Sequence, residues 1–500
     1  MNNPGLILNH RGAPMVAKSS AYIGGTPSRK RTSQAFRRSL PYDEDHALKS
    51  HGRTQLRLEC QDMRRNNPIV AGVCERFSDN IIGPSGLMPQ AKTADQAWNA
   101  EAESFWAEWT KVCDFRHRVN MRDMQRLAVQ SRLVQGDMGF VLLANGQFQP
   151  IEAERIDTPN KLRSDSSVID GIQIDKAGRA RRYHVISRNE RGGLDREKFK
   201  AFQSKNFVHL TRSWRVDQLR AIPELAAVLP FLVDFGRLQE ETLNKAQLDA
   251  MHSWAIYSQE GPAKAANMGP RNATPDNSLQ NIEHFGGGQT YYMRPGESVE
   301  SLASSTPNPQ YVEYSQMLLK IIASALSIPY EFLLLDFSEG SFSSSRAALQ
   351  QTYNTFSMWQ SWLIDGLLQR LWNWRIAKAI KSGEISPAPQ NERGVSEWHK
   401  CVWSRPGYDW IDPGKEAKAN LDNYNLGICS LDDITRKTHG READDVLKSK
   451  MANIQFAHDI AQKSGIPGLT FEHLINSTSA GMATPGSTTG APTAPNGENK

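Results

Sequence analysis

Hydrophobic and polar positions change their periodicity several times along the chain, and each change predicts a different element. Apolar residues recur at helical spacing on both sides of Asn67-Pro68, which predicts two consecutive helices. Further helices are predicted over 94–109 and 121–135. The alternation between 149 and 216, preceded by the turn pair Asn145-Gly146, instead predicts strands and a hairpin. The first half of the chain is therefore expected to be a mixed helix-and-sheet lobe.

Two apolar-striped helices follow, and they flank a segment of different character. The first is predicted over 223–253, with Pro230 expected to kink or restart it. The second is predicted from Tyr311 to Ser327, where the pattern stops before Pro329. Residues 254–307 between them are rich in Gly and Pro and β-like, and a loop of this length is expected to carry structure of its own.

A short polar loop then leads into a long amphipathic helix, predicted from about Ser345 to Ile380. Its apolar face is wide, with Gly366 as a possible kink point, and such a face has to be buried on more than one side. In a chain this hydrophilic, the pattern favours packing against the helix's own lobe and against a neighbouring subunit. The candidate subunit contacts are Trp359, Leu363 and Leu367.

Composition adds limits to this outline. The chain has 500 residues, which favours several lobes or an elongated subunit over one compact core. Its hydrophobic fraction is 39%, its mean hydropathy is −0.55 and its net charge is +5. No apolar run is long enough for a membrane span, and the N-terminus lacks a secretory signal pattern. The first 42 residues contain Arg and Lys but no acid, which predicts a solvated flexible arm or, alternatively, a contact with nucleic acid or a partner.

Candidate chemistry is sparse. The five cysteines show no Cys-x-x-Cys spacing, the histidines are dispersed, and the motifs of phosphate loops, dinucleotide sites and zinc proteases are absent from the sequence. The acid pairs Asp432-Asp433 and Asp444-Asp445 suit helix N-termini better than metal ligands. We therefore expect no cofactor, no metal site and no enzymatic activity.

Several short motifs follow one another along the chain in a fixed order. They are Arg65–Gly72, Asp79–Gly83, Gln149–Ile156, Gln218–Leu225, Ile328–Leu333, Asp336–Ser338, Phe342–Leu349, Asp412–Glu416 and Gly427–Ser430. Together these motifs resemble the lambda-type family of tailed-phage portal proteins. The likeness extends over roughly residues 45–475, and Ala221 departs mildly from the Gly that the family often has.

The resemblance implies an α+β, elongated portal-type subunit that forms a ring of identical copies, usually twelve. Its parts would be a flexible basic arm, a wing, a first stem helix, a small clip module, a second stem helix, a tunnel loop, a long bridging helix, a return to the wing, a helical crown and a disordered tail. Their respective ranges are 1–45, 46–221, 222–253, 254–307, 308–327, 328–344, 345–383, 384–412, 413–475 and 476–500.

The same resemblance implies a portal at one capsid vertex of the virion, assembled in the host cytoplasm, through which genome DNA is packaged and ejected. Its expected partners are double-stranded DNA without sequence preference, the terminase large subunit, capsid and scaffold proteins and head–tail connector proteins, with no membrane. The expected DNA-channel residues are Asp336, Ser338, Glu339, Gly340, Ser341 and Ser343.

The residues of that loop fit a channel on physical grounds. A surface past which DNA moves has to hold phosphate weakly, and the loop carries Asp336 and Glu339 without Lys or Arg. Two alternatives stay open at this point: another head-completion or minor capsid protein, and a metal-dependent nucleic-acid-processing enzyme. Particle mass tests the first alternative, and magnesium-dependent DNA cleavage tests the second.

We predict that deletion of Ser477–Lys500 leaves folding and assembly intact. The segment is rich in Gly, Ser, Thr, Pro and Ala, so it cannot bury enough apolar surface to order itself. Thermal melting and native mass spectrometry of the truncated chain should match those of the full chain. A fall of many degrees in melting temperature would contradict the prediction.

Overall fold

The computed structural model describes residues 45, 48, 50–250, 254–258, 297–301, 309–336, 338, 342–407, 413–439 and 443–464. Their contacts divide the described residues into two compact units. The first comprises those within 1–78, 114–116 and 127–370, and the second those within 79–113, 117–126 and 371–500.

Helices make up most of the described chain. They are α1 (Ser50–Asn66), α2 (Pro68–Ile82), α3 (Gln96–Val112), α4 (Met121–Val134), α5 (Leu229–Ala250), α6 (Pro309–Ala325), α7 (Tyr330–Leu334), α8 (Phe342–Leu363), α9 (Gln369–Ser382), α10 (Pro413–Asn425), α11 (Leu431–His439) and α12 (Ala443–Ser464). A π-helical turn, Ile364–Leu368, joins α8 to α9.

The strands form small antiparallel sheets. They are β1 (Met88–Ala91), β2 (Met138–Leu142), β3 (Phe148–Glu152), β4 (Val168–Ile169), β5 (Ile172–Ile174), β6 (Ala180–Arg188), β7 (Leu194–Gln203), β8 (Phe207–Leu210), β9 (Trp254–Ser258), β10 (Glu297–Ser301) and β11 (Cys401–Ser404). Their orders are β3-β2-β8, β4-β5-β6-β7, β1-β11 and β9-β10.

Aromatic clusters mark the core of each unit. In the first unit, Phe77 of α2 meets Phe356 and Trp359 of α8, with ring centroids 5.4 and 5.2 Å apart. In the second unit, Trp106 of α3 lies 5.3 Å from Trp372 and 6.0 Å from Trp403. Such pairs bury large apolar areas and add a geometric preference. These contacts join residues that are far apart in sequence.

Most elements predicted from periodicity are confirmed, with three physical refinements. Pro230 lies in the first turn of α5, where its missing N–H costs nothing, so it starts the helix instead of kinking it. The predicted kink point at Gly366 lies inside the π-helical turn, and a Cβ there would stand 2.6 Å from Leu210 Cδ1. The long strand β7 and the pairing of β1 with β11 were not predicted.

A buried ion network lies at the centre of the first unit, around the carboxylate of Asp137. Arg220 Nε donates to Asp137 Oδ2 at 2.6 Å, and Arg57 Nη2 donates to Asp137 Oδ1 at 3.0 Å. His209 Nε2 lies 3.2 Å from Asp137 Oδ2. The remaining guanidinium hydrogens of Arg220 reach the backbone carbonyls of Ala153, Ile156 and Asp170.

Asp45 belongs to this network, which corrects the predicted boundary of the arm at residue 45. Its carboxylate accepts from Leu219 N at 2.7 Å and from Arg53 Nη2 at 2.9 Å, and the residue is 5% exposed. A buried guanidinium needs a paired anion, so Asp45 is part of the folded unit instead of the arm.

Charge pairing decides the protonation of the network. Burial alone would raise the pKa of Asp137, but Arg220 and Arg57, together with hydrogen bonds from His209 and Arg220, hold that pKa well below its ordinary value. Burial lowers the pKa of His209 against the opposing effect of Asp137, so its imidazole is neutral at pH 7. Asp137 is therefore an anion paired with two arginines.

We predict that Asp137→Asn destabilises the protein by about 3–5 kcal/mol, because it leaves buried arginines without their anion. The matched control is Asp123→Asn, which removes an exposed pair with Arg122 at 3.2 Å and should cost no more than about 1 kcal/mol. Urea unfolding followed by circular dichroism measures both changes. Equal midpoints for the two variants would contradict the prediction.

The same network predicts a dependence on acid. Because the pKa of Asp137 is lower in the folded state than in the unfolded chain, its stabilisation is present above the unfolded pKa and is lost as pH falls through the folded value. Urea midpoints of the wild type should therefore fall in acid below the ordinary aspartate range. The urea midpoint of Asp137→Asn should decrease less in acid than that of the wild type, because the variant has no carboxylate at this position.

Candidate channel loop and subunit surface

The predicted tunnel loop leaves the fold through two left-handed residues. Helix α6 ends at Ala325, and Ser327 then takes a φ of 58°, while Ile328 N donates back to Ala323 O at 3.1 Å. The short helix α7 follows, and Leu335 closes it with a φ of 58°. Non-glycine residues adopt this conformation rarely, so the chain direction is set by specific contacts on either side of each turn.

Two hydrogen bonds and one aromatic contact hold the N-terminal side of the loop, residues 327–333, which we call the loop root. Arg76 Nη2 of α2 donates to Leu333 O at 2.5 Å, and Thr355 Oγ1 of α8 donates to Ser327 O at 3.0 Å. Phe332 packs edge-on against Phe356 with centroids 5.5 Å apart. Helices α2 and α8 thus fix the position of the loop root within the first unit.

Asp336 and Ser338 are the predicted channel residues whose side chains are described, and both are exposed. Asp336 Oδ1 accepts from Ser338 Oγ at 2.6 Å and from Ser338 N at 3.1 Å, and these bonds lower the pKa of Asp336. The carboxylate therefore stays ionised at neutral pH. Ser343 lies in the first turn of α8, while Glu339, Gly340 and Ser341 lie outside the described residues.

The residues predicted to contact a neighbouring subunit lie instead in the protomer's own core. Leu363 and Leu367 have no exposed surface, and Trp359 is 7% exposed. The guanidinium of Arg132 stands 3.6 Å from the ring centroid of Trp359, and Phe77 makes an edge-on contact with the same ring at 5.2 Å. The wide apolar face is real, but α2, α4 and β8 cover it within one chain, so these three side chains have no surface to offer a neighbour.

Apolar side chains that remain exposed lie on other helices. On the first unit they include residues of α5, α6 and α8, and Met358 is 71% exposed although its neighbour Trp359 is buried. On the second unit they concentrate between α10 and α12. The exposed apolar side chains on these helices and between them include Leu243, Val312, Tyr314, Met317 and Met358, followed by Leu421, Tyr424, Leu426, Ile428, Leu447, Met451, Phe456 and Ile460.

The acid pairs near the C-terminus lie at helix starts. Asp433 and Ser430 cap α11 reciprocally: Ser430 Oγ donates to Asp433 Oδ2 at 2.6 Å, and Asp433 N donates to Ser430 Oγ. Asp432 Oδ1 accepts from Ala443 N, the first residue of α12. In the described part of the chain, no cluster of three or more His, Cys, Asp or Glu side chains could bind a metal ion, and no helix has the length and hydropathy of a membrane span.

Comparison with known families decides the identity of the chain. The model of the lambda family of phage portal proteins matches residues 29–360, which include the buried ion network, the loop root and most of α8. The chain belongs to this family. It is a phage portal protein, and the homo-oligomeric portal ring of a virion is its setting.

Two portal proteins from other phages are similar to this chain in sequence. Portal protein B of Escherichia phage lambda is 21% identical over 80% of this chain and 85% of its own length. The probable portal protein of Halomonas phage phiHAP-1 is 23% identical over 86% of this chain and 85% of its own length. Among solved structures, a chain in the neck of an empty gene transfer agent (GTA) particle matches with a TM-score of 0.45 and 12% identity, over 81% of this chain and 96% of that one.

The burial of the long helix predicts opposite outcomes for two neighbouring positions. Leu363→Asp places a charge in the core of this portal protein and should destabilise the protomer by several kcal/mol. Met358→Asp changes an exposed side chain and should alter stability by no more than about 0.5 kcal/mol.

Limited proteolysis and thermal melting measure both variants, and native mass spectrometry reports their assembly. Leu363→Asp should give protease-sensitive chains. Folded monomers of Leu363→Asp with the wild-type melting temperature would show that this face contacts a neighbour and not the protomer's own core.

Proposed function

We propose that the ring of this portal protein forms the channel for genome DNA and that the loop 328–344 lines it. The observation that supports this most directly is the root of the loop: Arg76 and Thr355 hold its backbone, while Asp336 stands exposed and ionised at its base. A loop whose N-terminal side is held in this way can keep its position as DNA passes. Its acid repels phosphate, so contact with the backbone stays weak.

The subunit contacts of the ring belong, in this proposal, to the exposed apolar side chains of the helices outside the core. On α6 they include Val312, Tyr314 and Met317, each at least half exposed. Aromatic and methionine side chains are enriched where proteins associate. The apolar residues of α10–α12 would supply a second set of contacts in the predicted crown.

The remaining parts keep the roles that the family resemblance implies. The paired strands β9 and β10 begin and end the segment 254–307, the proposed clip, which would dock the terminase large subunit during packaging and connector proteins afterwards. Residues 46–221 and 384–412 would form the wing that meets capsid and scaffold proteins. Helices α5 and α6 would be the two stem helices.

A charge reversal tests the channel. Glu339→Arg adds one cation to every loop of the ring, and each neutralised phosphate strengthens DNA binding, with a salt slope of about 0.9 per phosphate. We expect rings of normal mass that package DNA more slowly than the wild type. The defect should shrink as salt is raised, because salt weakens the new attraction.

The matched control is Glu392→Arg, which makes the same change of charge at an exposed turn of the second unit. Its packaging rate, expressed relative to the wild type at each salt concentration, should not change. Wild-type packaging by Glu339→Arg at low salt would remove this loop from the channel wall. Loss of rings in Glu339→Arg would instead indicate a structural role.

A further inference from the structure

Two stretches of the chain carry a large net positive charge. One is the first 42 residues, with seven Lys or Arg and no acid, and the other is residues 175–205, with ten Lys or Arg and four Asp or Glu, a net charge of +6. The whole chain carries +5, so the remaining residues have a net charge of −8. The second stretch forms β6, β7 and the turns at the end of their sheet.

The fold gathers half of the cations of this second stretch around a single open groove. The groove has four wall segments. They are the segment before β4, the turn before β6, the start of β6 and the 3-10 turn after β7. The cations that line the groove are Lys176, Arg179, Arg181, Arg182 and Lys205, and all five are exposed.

The carboxylate in the groove, Asp175, already has hydrogen-bond and ion-pair partners within the chain. Asp175 Oδ1 accepts from Ala177 N and Arg179 N, both at 2.9 Å, and thereby fixes the turn. Asp175 Oδ2 lies 3.2 Å from Arg179 Nε and 3.9 Å from Arg181 Nε. Within the described residues, no carboxylate pairs with Lys176, Arg182 or Lys205. Three cations thus face the groove without an internal counter-charge.

The uncharged lining favours one class of anion. Hydroxyl and amide side chains stand among the cations: Ser166, Ser167, Gln173, Gln203 and Ser204. Lys and Arg mixed with Ser and Gln is the side-chain set that contacts phosphates and sugars in protein–DNA complexes. The lining contains no aromatic side chain among the described residues, so it lacks both the stacking platforms used for single strands and the aromatic anchors typical of protein partners.

We infer that this groove binds the phosphate backbone of double-stranded DNA, as a second DNA-binding surface separate from the channel loop. The inference rests on the proposed function, which brings genome DNA to the ring. The two surfaces have opposite electrostatic character: the loop carries acids and suits DNA that moves, whereas the groove carries unpaired cations and suits DNA that stays.

The test uses purified rings of the full chain and a short fluorescent duplex of random sequence. The variant combines Lys176→Gln, Arg182→Gln and Lys205→Gln. Its affinity for the duplex should fall, and the slope of log K against log salt should become shallower by up to about 2.7, which is about 0.9 for each phosphate that is no longer neutralised. Should the triple variant misfold, Lys205→Gln alone should reduce the slope by about 0.9.

The control variant removes three cations from the same hairpin outside the groove: Arg191→Gln, Lys198→Gln and Lys200→Gln. It should bind with a nearly unchanged slope, as should Glu392→Arg. Equal reductions in the groove and control variants would overturn the inference in favour of general charge attraction. Tighter binding of an acidic peptide than of the duplex, abolished in the groove variant, would assign the groove to a protein partner instead. Absence of rings in the wild type would count against the proposed function and not against the groove.

Discussion

The paired charges around Asp137 are the constraint on which the first unit depends. They connect α1 through Arg57, strand β8 through His209 and the segment before α5 through Arg220. Apolar contacts would accept several packings at this junction, but hydrogen bonds to a buried carboxylate accept one geometry. The cost of a mispaired charge in the core thus fixes the direction in which the chain leaves the sheet for α5.

The sequence predicted the elements of this fold better than their contacts. Helical periodicity located α1, α2 and α8 because each carries an apolar stripe that is visible locally. The ion network was not predicted because Asp45, Asp137 and Arg220 are far apart in sequence, and each alone looks like an ordinary surface charge. These residues come close together only in the folded chain, so no local sequence pattern could have predicted their contacts.

The long helix shows the same limit for the candidate site. Its wide apolar face was correctly predicted to be buried on more than one side, yet periodicity cannot say whose residues bury it. Trp359 is covered by Phe77 and by Arg132, and both come from the same chain. The exposed apolar residues of α6 and α10–α12 lack such cover among the described residues, although α6 carries an apolar stripe that is also visible in sequence.

Charge placement then relates the structure to DNA. A net charge of +5 spread evenly over 500 residues would give a surface with little preference for phosphate. Instead, residues 175–205, which include the hairpin of β6 and β7, carry a net charge of +6, while the loop at the end of α7 begins with an ionised carboxylate. A portal has to let the same polymer slide in one place and can retain it in another. With the loop as the proposed channel wall and the groove as the proposed DNA-binding surface, separating cations from the loop meets both needs without any sequence recognition, because phosphate attraction acts equally on every sequence.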